Sequence, residues 1–305
     1  MSKSFFIARN TDSDEMFYNA LIGAGYIETL EPDQADFIVH DAVHPNLGQY
    51  LLTKPNFITP HTPQSAWLWD GVLEDRIPVS CNFVNGEASR QVMKAYEYPY
   101  RVEVVGFNRC PLHSFNCTLG NDLLIIPSHS LQNRQYTYPN YIDWVLMTLR
   151  FVLKNRSVFS KITLCWDETR FDSTVMDEMR KKGFIIIPTN PYRDSEPLKH
   201  MMDRMNEADL VMACGTAGCV AVAMGRPTVF FSELGPPRSF PKDALHYERY
   251  HHLLRYPLAA ENMTIDEILA VRTAQDPRVR HWRDQVLGVE FNAQKFISVV
   301  KEYVR

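Results

Sequence analysis

Short apolar runs alternate with helical patterns along the whole chain, and that alternation predicts parallel sheets joined by crossover helices. In the first part, strands are expected at Ser4–Ala8, Tyr26–Thr29, Phe37–His40, Asn56–Thr59, Val79–Phe83 and Arg101–Val105. Helical patterns fall between them at Asp12–Gly23, Gly48–Leu52, Pro63–Leu73 and Glu87–Tyr96. The first begins at Asp and Ser and stops at Gly23 and Gly25, which is ordinary helix punctuation. The segment Gly106–Gly120 then breaks the pattern with turn formers.

A second set starts cleanly. Its strands are expected at Asp122–Pro127, Lys161–Trp166, Phe184–Pro188, Leu210–Ala213 and Pro227–Phe231. Its helices are expected at Tyr138–Asn155, Ser173–Lys182, Glu196–Glu207 and Ala217–Gly225. Strands and crossovers in this order make a doubly wound sheet. A proline-rich loop over 233–242 follows, then helices near 244–254, 264–274, 277–287 and 292–303. The chain is therefore read as α/β, with Rossmann-like domains over 1–110 and 111–305. The second includes the C-terminal helices, and the last helix is a candidate to cross back onto the first domain.

The most informative stretch is Asn206–Phe231. It reads as a buried strand, a tight glycine turn over Cys214–Gly218, a small-residue helix and a second strand. Such a junction exposes backbone N–H groups at the positive end of a helix, which suits a phosphate or pyrophosphate. Ligands of doubly wound sheets bind at the carboxyl ends of the strands.

Composition narrows the function classes. The chain has 305 residues, 45% hydrophobic and 22% charged, with a net charge of −4. The pI is about 6.2. There is no large basic reserve for duplex nucleic acid or an acidic membrane. The apolar run at the N-terminus is too short for a signal peptide, and no stretch approaches the roughly 18–20 apolar residues of a membrane span. The six cysteines (81, 110, 117, 165, 214 and 219) show no CxxC pair and no zinc spacing. Free thiols in a reducing cytoplasm are expected, with a Cys110–Cys117 bridge as the alternative for an oxidising compartment.

Two sequence stretches resemble the GT-B architecture shared by nucleotide-sugar glycosyltransferases and the UDP-N-acetylglucosamine 2-epimerase group. One is Val104–Arg109, similar to the strand-then-Gly-x-x-Arg junction between that architecture's domains. The other is Ala208–Gly218 closed by Met224–Val229, similar to its donor-phosphate stretch. The resemblance implies two Rossmann-like domains facing one another across a cleft, an N-terminal acceptor domain and a C-terminal donor domain. It implies a glycosyltransferase that moves a sugar from a nucleotide-diphosphate sugar to an acceptor hydroxyl. No Asp-x-Asp of convincing context appears, so no divalent metal is required, and the nucleotide sugar is expected as co-substrate with no further cofactor. The acceptor stays open among glycan, small molecule, protein and modified nucleic acid. Many members carry Glu in the helix after the glycine turn, where this chain has Val220-Ala221-Val222-Ala223. Glu233 is the candidate replacement.

The binding residues implied are Gly215, Thr216, Ala217 and Gly218 for the diphosphate, with Ser128 and His129 at a neighbouring strand end. Arg134 or Arg109 would balance the leaving charge, since a guanidinium can pair bidentately with a diphosphate. Thr189 and Asn190 lie where such folds hold the nucleobase. The acceptor hydroxyl needs a general base. His61 is the first candidate, because Pro60 and Pro63 stiffen its loop and Asp41 is a possible partner to hold the tautomer. His44 stands behind them. His246, His251 and His252 read as one polar helix face and not as a metal site. Two other classes stay open: a sugar-nucleotide epimerase or hydrolase of the same architecture, and a non-catalytic two-domain ligand-binding protein. The first strand lacks GxGxxG and the chain has no GxSxG, which weakens dinucleotide oxidoreductase and hydrolase readings.

Overall fold

The structure is a computed structural model that describes residues 2–8, 14–40, 47–59, 77–95, 97–106, 112–126, 149–167, 173–189, 197–213, 215–230, 256–258, 260, 263–287 and 290–305. The chain forms two compact units. The first takes in Met1–Arg109 and, late in the chain, Asp284–Arg305. The second takes in Cys110–Lys242 and Tyr256–Arg283.

The first unit holds a six-stranded sheet in the order β2-β1-β3-β4-β5-β6. The strands are β1 (Ser4–Ala8), β2 (Ile27–Glu28), β3 (Phe37–His40), β4 (Asn56–Ile58), β5 (Cys81–Val84) and β6 (Val102–Val104). All of these pairs are parallel. Both faces are covered, so β3, β4 and β5 are buried at every position, as parallel strands should be.

One face carries a phenylalanine core. Phe5, Phe17, Phe37, Phe57, Phe83 and Phe296 are all fully buried. Phe17 and Phe83 meet Phe296 edge-on at centroid distances of 5.0 and 4.9 Å. Phe296 comes from the last helix, Ala293–Tyr303, which therefore closes the core of the first unit. Its Asn292 cap accepts a hydrogen bond from the Lys295 N–H at 2.9 Å. Lys295 Nζ also donates to the Val104 carbonyl at 2.9 Å, tying the helix to the edge strand.

The second unit holds a five-stranded parallel sheet ordered β11-β10-β7-β8-β9. Its strands are β7 (Asp122–Ile126), β8 (Lys161–Asp167), β9 (Ile185–Thr189), β10 (Leu210–Ala213) and β11 (Thr228–Phe230). Counted in chain order the sheet reads 3-2-1-4-5, the Rossmann arrangement. On one face Leu123, Ile125, Ile162, Leu164, Leu210 and Met212 join a buried cluster with Leu149 and Val152 of the helical residues 149–154 and with Met176 and Met179 of helix Ser173–Lys181. On the other face lies the helix Gly215–Ala223, made of small residues that allow close packing.

Two elements differ instructively from expectation. β5 begins at Cys81 and not at Val79. Pro78 has no N–H to give a ladder, and its carbonyl is taken by the Asn56 side-chain amide at 2.6 Å. The helix expected from Ala217 begins at Gly215, so the supposed tight turn over residues 215–218 is already helical. Tertiary packing overrides the poor helix propensity of glycine there.

Cys81 and Cys165 are buried free thiols, whereas Cys117 is free and exposed. Burial pushes the Cys81 thiol up to about 12 and the Cys165 thiol up to about 11. Among the described residues no helix is long and apolar enough to cross a membrane.

Candidate anion site at the sheet switch point

In a 3-2-1-4-5 sheet the connections leaving the first and fourth strands run to opposite sides, and a crevice opens past their carboxyl ends. Here those strands are β7 and β10, paired in register from Leu123↔Leu210 to Ile126↔Ala213. β10 ends at Ala213 and the helix starts at Gly215, so this helix rises directly from the switch point. From Ala217 to Ala223 only Cys219 is partly exposed; the rest are buried. A helix apolar all round presents its polar groups only at its ends. Its first-turn N–H groups have no partner within the helix, and they lie at the positive end of the dipole.

Gly218 has a second reason to be glycine. A Cβ there would fall on the Phe230 ring at Cε1 and Cζ. Phe230, the last residue of β11, stacks on Tyr256 with centroids 4.0 Å apart and an interplanar angle of 16°. Trp282 stands edge-on to Tyr256 at 5.1 Å. The Tyr256 hydroxyl donates to the Thr228 carbonyl at 2.7 Å, and burial pushes its phenol far above the ordinary range. None of these three aromatics stood out in the sequence, because each comes from a different segment and only the fold brings them together.

The opposite edge of the same sheet explains Asp209, the acidic residue of the donor-phosphate resemblance. It stands at the amino end of β10, where its carboxylate accepts the Asp122 N–H at 2.9 Å. Its own N–H donates to the Asp122 carbonyl at 2.9 Å and its carbonyl accepts from Thr118 Oγ1 at 2.9 Å. Arg226, only 8% exposed, donates to the Ala208 carbonyl. Burial pulls the Arg226 pKa down and the Asp209 charge opposes that pull. Gly225 is at φ +71°, and a Cβ there would fall on the Ser114 carbonyl. Asp209, Gly225 and Arg226 thus brace strand ends, about a strand's length from Gly215. The groove of about 460 Å³ lined by Asp122, Lys161, Thr163, Ile185, Ile187 and Arg204 is also near the amino ends, away from the switch point.

In the first unit the switch point lies between β1 and β3, past Ala8 and His40. His40 is fully buried at the end of β3. Its Nε2 lies 3.3 Å from Asn56 Oδ1. Asn56 Nδ2 donates to the Leu51 and Pro78 carbonyls at 3.0 and 2.6 Å, which fixes the amide with Oδ1 toward the imidazole. His40 Nε2 therefore carries a proton. The edge continues with Thr59 and Asn85, both buried; Asn85 Oδ1 accepts from Ser89 Oγ at 3.0 Å.

Of the residues singled out from sequence, Gly215, Thr216, Ala217 and Gly218 form the first turn of the helix at the switch point, and Thr189 ends β9 at the same sheet's carboxyl edge. His61, Asp41, Arg109, Ser128, His129, Arg134, Asn190 and Glu233 lie outside the described residues, as do His44, His246, His251 and His252. Among the described residues no group of three or more His, Cys, Asp or Glu side chains is placed to hold a metal ion.

No family model and no curated protein matches the chain. Solved structures similar to it include a point mutant of S. aureus TarM in complex with fondaparinux, alpha-GlcNAc-glycerol and UDP, at 11% identity and a TM-score of 0.49. That match covers 88% of this chain and 55% of TarM, so the chain spans about half of TarM's length. Sucrose-phosphate synthase from Thermosynechococcus elongatus is 10% identical, with a TM-score of 0.49 and 99% of each chain covered. CalG4, the calicheamicin glycosyltransferase, is 11% identical, with a TM-score of 0.46 over 99% of this chain and 98% of its own. Likeness at this level carries no weight for the reaction, and the fold assignment rests on the strand order and register described above.

Proposed function

We propose that the chain is a metal-independent glycosyltransferase that takes a nucleotide-diphosphate sugar as donor. The observation that carries this reading is the helix Gly215–Ala223 rising from the switch point of a Rossmann sheet. The donor diphosphate sits on the N–H groups of Gly215–Gly218. The acceptor hydroxyl attacks the anomeric carbon, the bond from that carbon to the diphosphate oxygen breaks, and the hydroxyl proton passes to a base. His61, oriented by Asp41, is the proposed base. The departing diphosphate carries the developing negative charge, which the helix N-terminus and Arg134 or Arg109 offset. Ser128 and His129 are proposed to contact the diphosphate, Thr189 and Asn190 to hold the nucleobase, and Glu233 to hold the ribose. Backbone donors already in place cost no reorganisation when the charge forms, which is the work a metal does in other transferases.

The test is a binding screen against UDP, GDP, CDP, ADP and dTDP. A diphosphate at 100 times its Kd stabilises the fold by about 2.7 kcal/mol. Gly215→Asp is the decisive variant. A carboxylate in the first turn is favourable to the helix dipole by about 0.3–1 kcal/mol while a bound diphosphate is repelled, and thermal unfolding of the variant checks that it folds. Parent-level diphosphate affinity in Gly215→Asp refutes the placement. Release of nucleoside diphosphate from a nucleotide sugar separates an enzyme from a receptor.

A further inference from the structure

A first turn that is to hold a diphosphate must be held in place itself, and its own side chains give little for the purpose. Gly218 brings a bare Cα, and Ala217 a single buried methyl. What meets the turn from outside is the Phe230 ring, at Cε1 and Cζ against Gly218. That ring is not free to adjust. It ends a strand, stacks on Tyr256 at 4.0 Å, and has Trp282 edge-on at 6.1 Å. Tyr256 is in turn anchored through its hydroxyl to the Thr228 carbonyl at 2.7 Å. The edge-to-face contacts of Trp282, at 6.1 Å to Phe230 and 5.1 Å to Tyr256, are favourable beyond the area they bury. A rigid ring pressed on a glycine in the first turn sets how far that turn stands from the end of β11.

We propose that Phe230, backed by Tyr256 and Trp282, is a positioning residue that sets the register of the anion-binding turn through contact with Gly218. This rests on the diphosphate reading of that turn. Any side chain at 218 pushes the turn away from the ring and moves its N–H groups off the diphosphate. Displacement of an ångström at such a site is enough to cost binding or rate.

The test uses the full chain and the five nucleoside diphosphates UDP, GDP, CDP, ADP and dTDP, with Kd measured well below the unfolding transition. Gly218→Ala is expected to weaken the diphosphate bound by the parent at least tenfold. Phe230→Leu is expected to weaken it about threefold, because the turn loses its wall without gaining a clash, and the double variant Gly218→Ala/Phe230→Leu to return to that threefold level. Rescue of affinity by a compensating truncation, measured well below the unfolding transition, is something a merely structural role does not produce. If Gly218→Ala does not fold, Phe230→Trp enlarges the ring against the native glycine and is expected to give the same tenfold loss. A parent that binds a diphosphate while Gly218→Ala or Phe230→Trp binds it equally well overturns this inference alone. A double variant that recovers thermal stability but not affinity also overturns it. A parent that binds none of the five overturns the diphosphate reading and this inference with it.

Discussion

Asp209→Ala separates a bracing role from a binding role for an acidic residue that sequence resemblance places in a donor-phosphate stretch. The substitution removes the acceptor of the Asp122 N–H at 2.9 Å and leaves the backbone contacts of residue 209 intact. A hydrogen bond to a charged group is worth about 1.5–3 kcal/mol. Arg226, 8% exposed, also loses the negative charge that offsets its burial. Together these predict a loss of about 2–4 kcal/mol. For a domain of this size that is a fall in Tm of roughly 5–15 °C. Asp209→Asn keeps an acceptor and loses only the charge, so it should cost about 1 kcal/mol. Gly120→Ala should resemble Asp209→Ala, because its Cβ would fall on the Asp209 carboxylate. The assay pairs thermal unfolding with diphosphate Kd measured below the transition. Lower Tm with unchanged Kd is expected. An unchanged Tm with lost diphosphate binding in Asp209→Ala would refute the bracing role.

Phe296→Ala should cost about 3–5 kcal/mol, since the ring is fully buried against Phe17 and Phe83; urea unfolding of the first unit's signal checks it, and a loss under 1 kcal/mol would show that the last helix is not part of that core. Stability should also fall with acid. The Ser4 N–H lowers the Asp36 pKa, and for Glu103 the hydrogen bonds from Lys295 and Arg101 outweigh burial, so its pKa is lowered too. Depressed carboxylates contribute fully above their unfolded values and lose that contribution as pH falls through the folded ones, below about pH 4. The stability gap between parent and Glu103→Gln should therefore shrink from pH 7 to pH 3, and a gap that stays constant would contradict the assignment.

The sheets were readable in their inner strands. Ser4–Ala8, Phe37–His40 and Leu210–Ala213 are found with the boundaries that their apolar runs suggest. Edges and junctions were less so. The edge strand β2 shrinks to Ile27–Glu28, and the glycine-rich stretch after β10 is a helix and not a turn. The helix expected over Thr264–Ala274 spans Ile265–Ala270, with Thr264 as its cap in a capping box with Glu267. Asp209 looked like part of a binding stretch because local sequence does not say which end of a strand a residue serves. That Gly218 also packs against Phe230 was not legible, because that ring comes from the next strand. His40 sat in plain view at a strand end, but the Asn56 partner of its Nε2 lies sixteen residues on, and no local pattern links the two.

That the first unit borrows its closing helix from the far end of the chain has a consequence on the ribosome. Phe5, Phe37, Phe57 and Phe83 are all translated before the second unit begins, yet the helix that completes their cluster, Ala293–Tyr303, follows the whole of it. At roughly 5–20 residues per second, the interval from Arg109 to Phe296 is roughly 10–40 s. The second unit can fold as it emerges. The first must wait with an open phenylalanine face, and the later unit is the first to be finished.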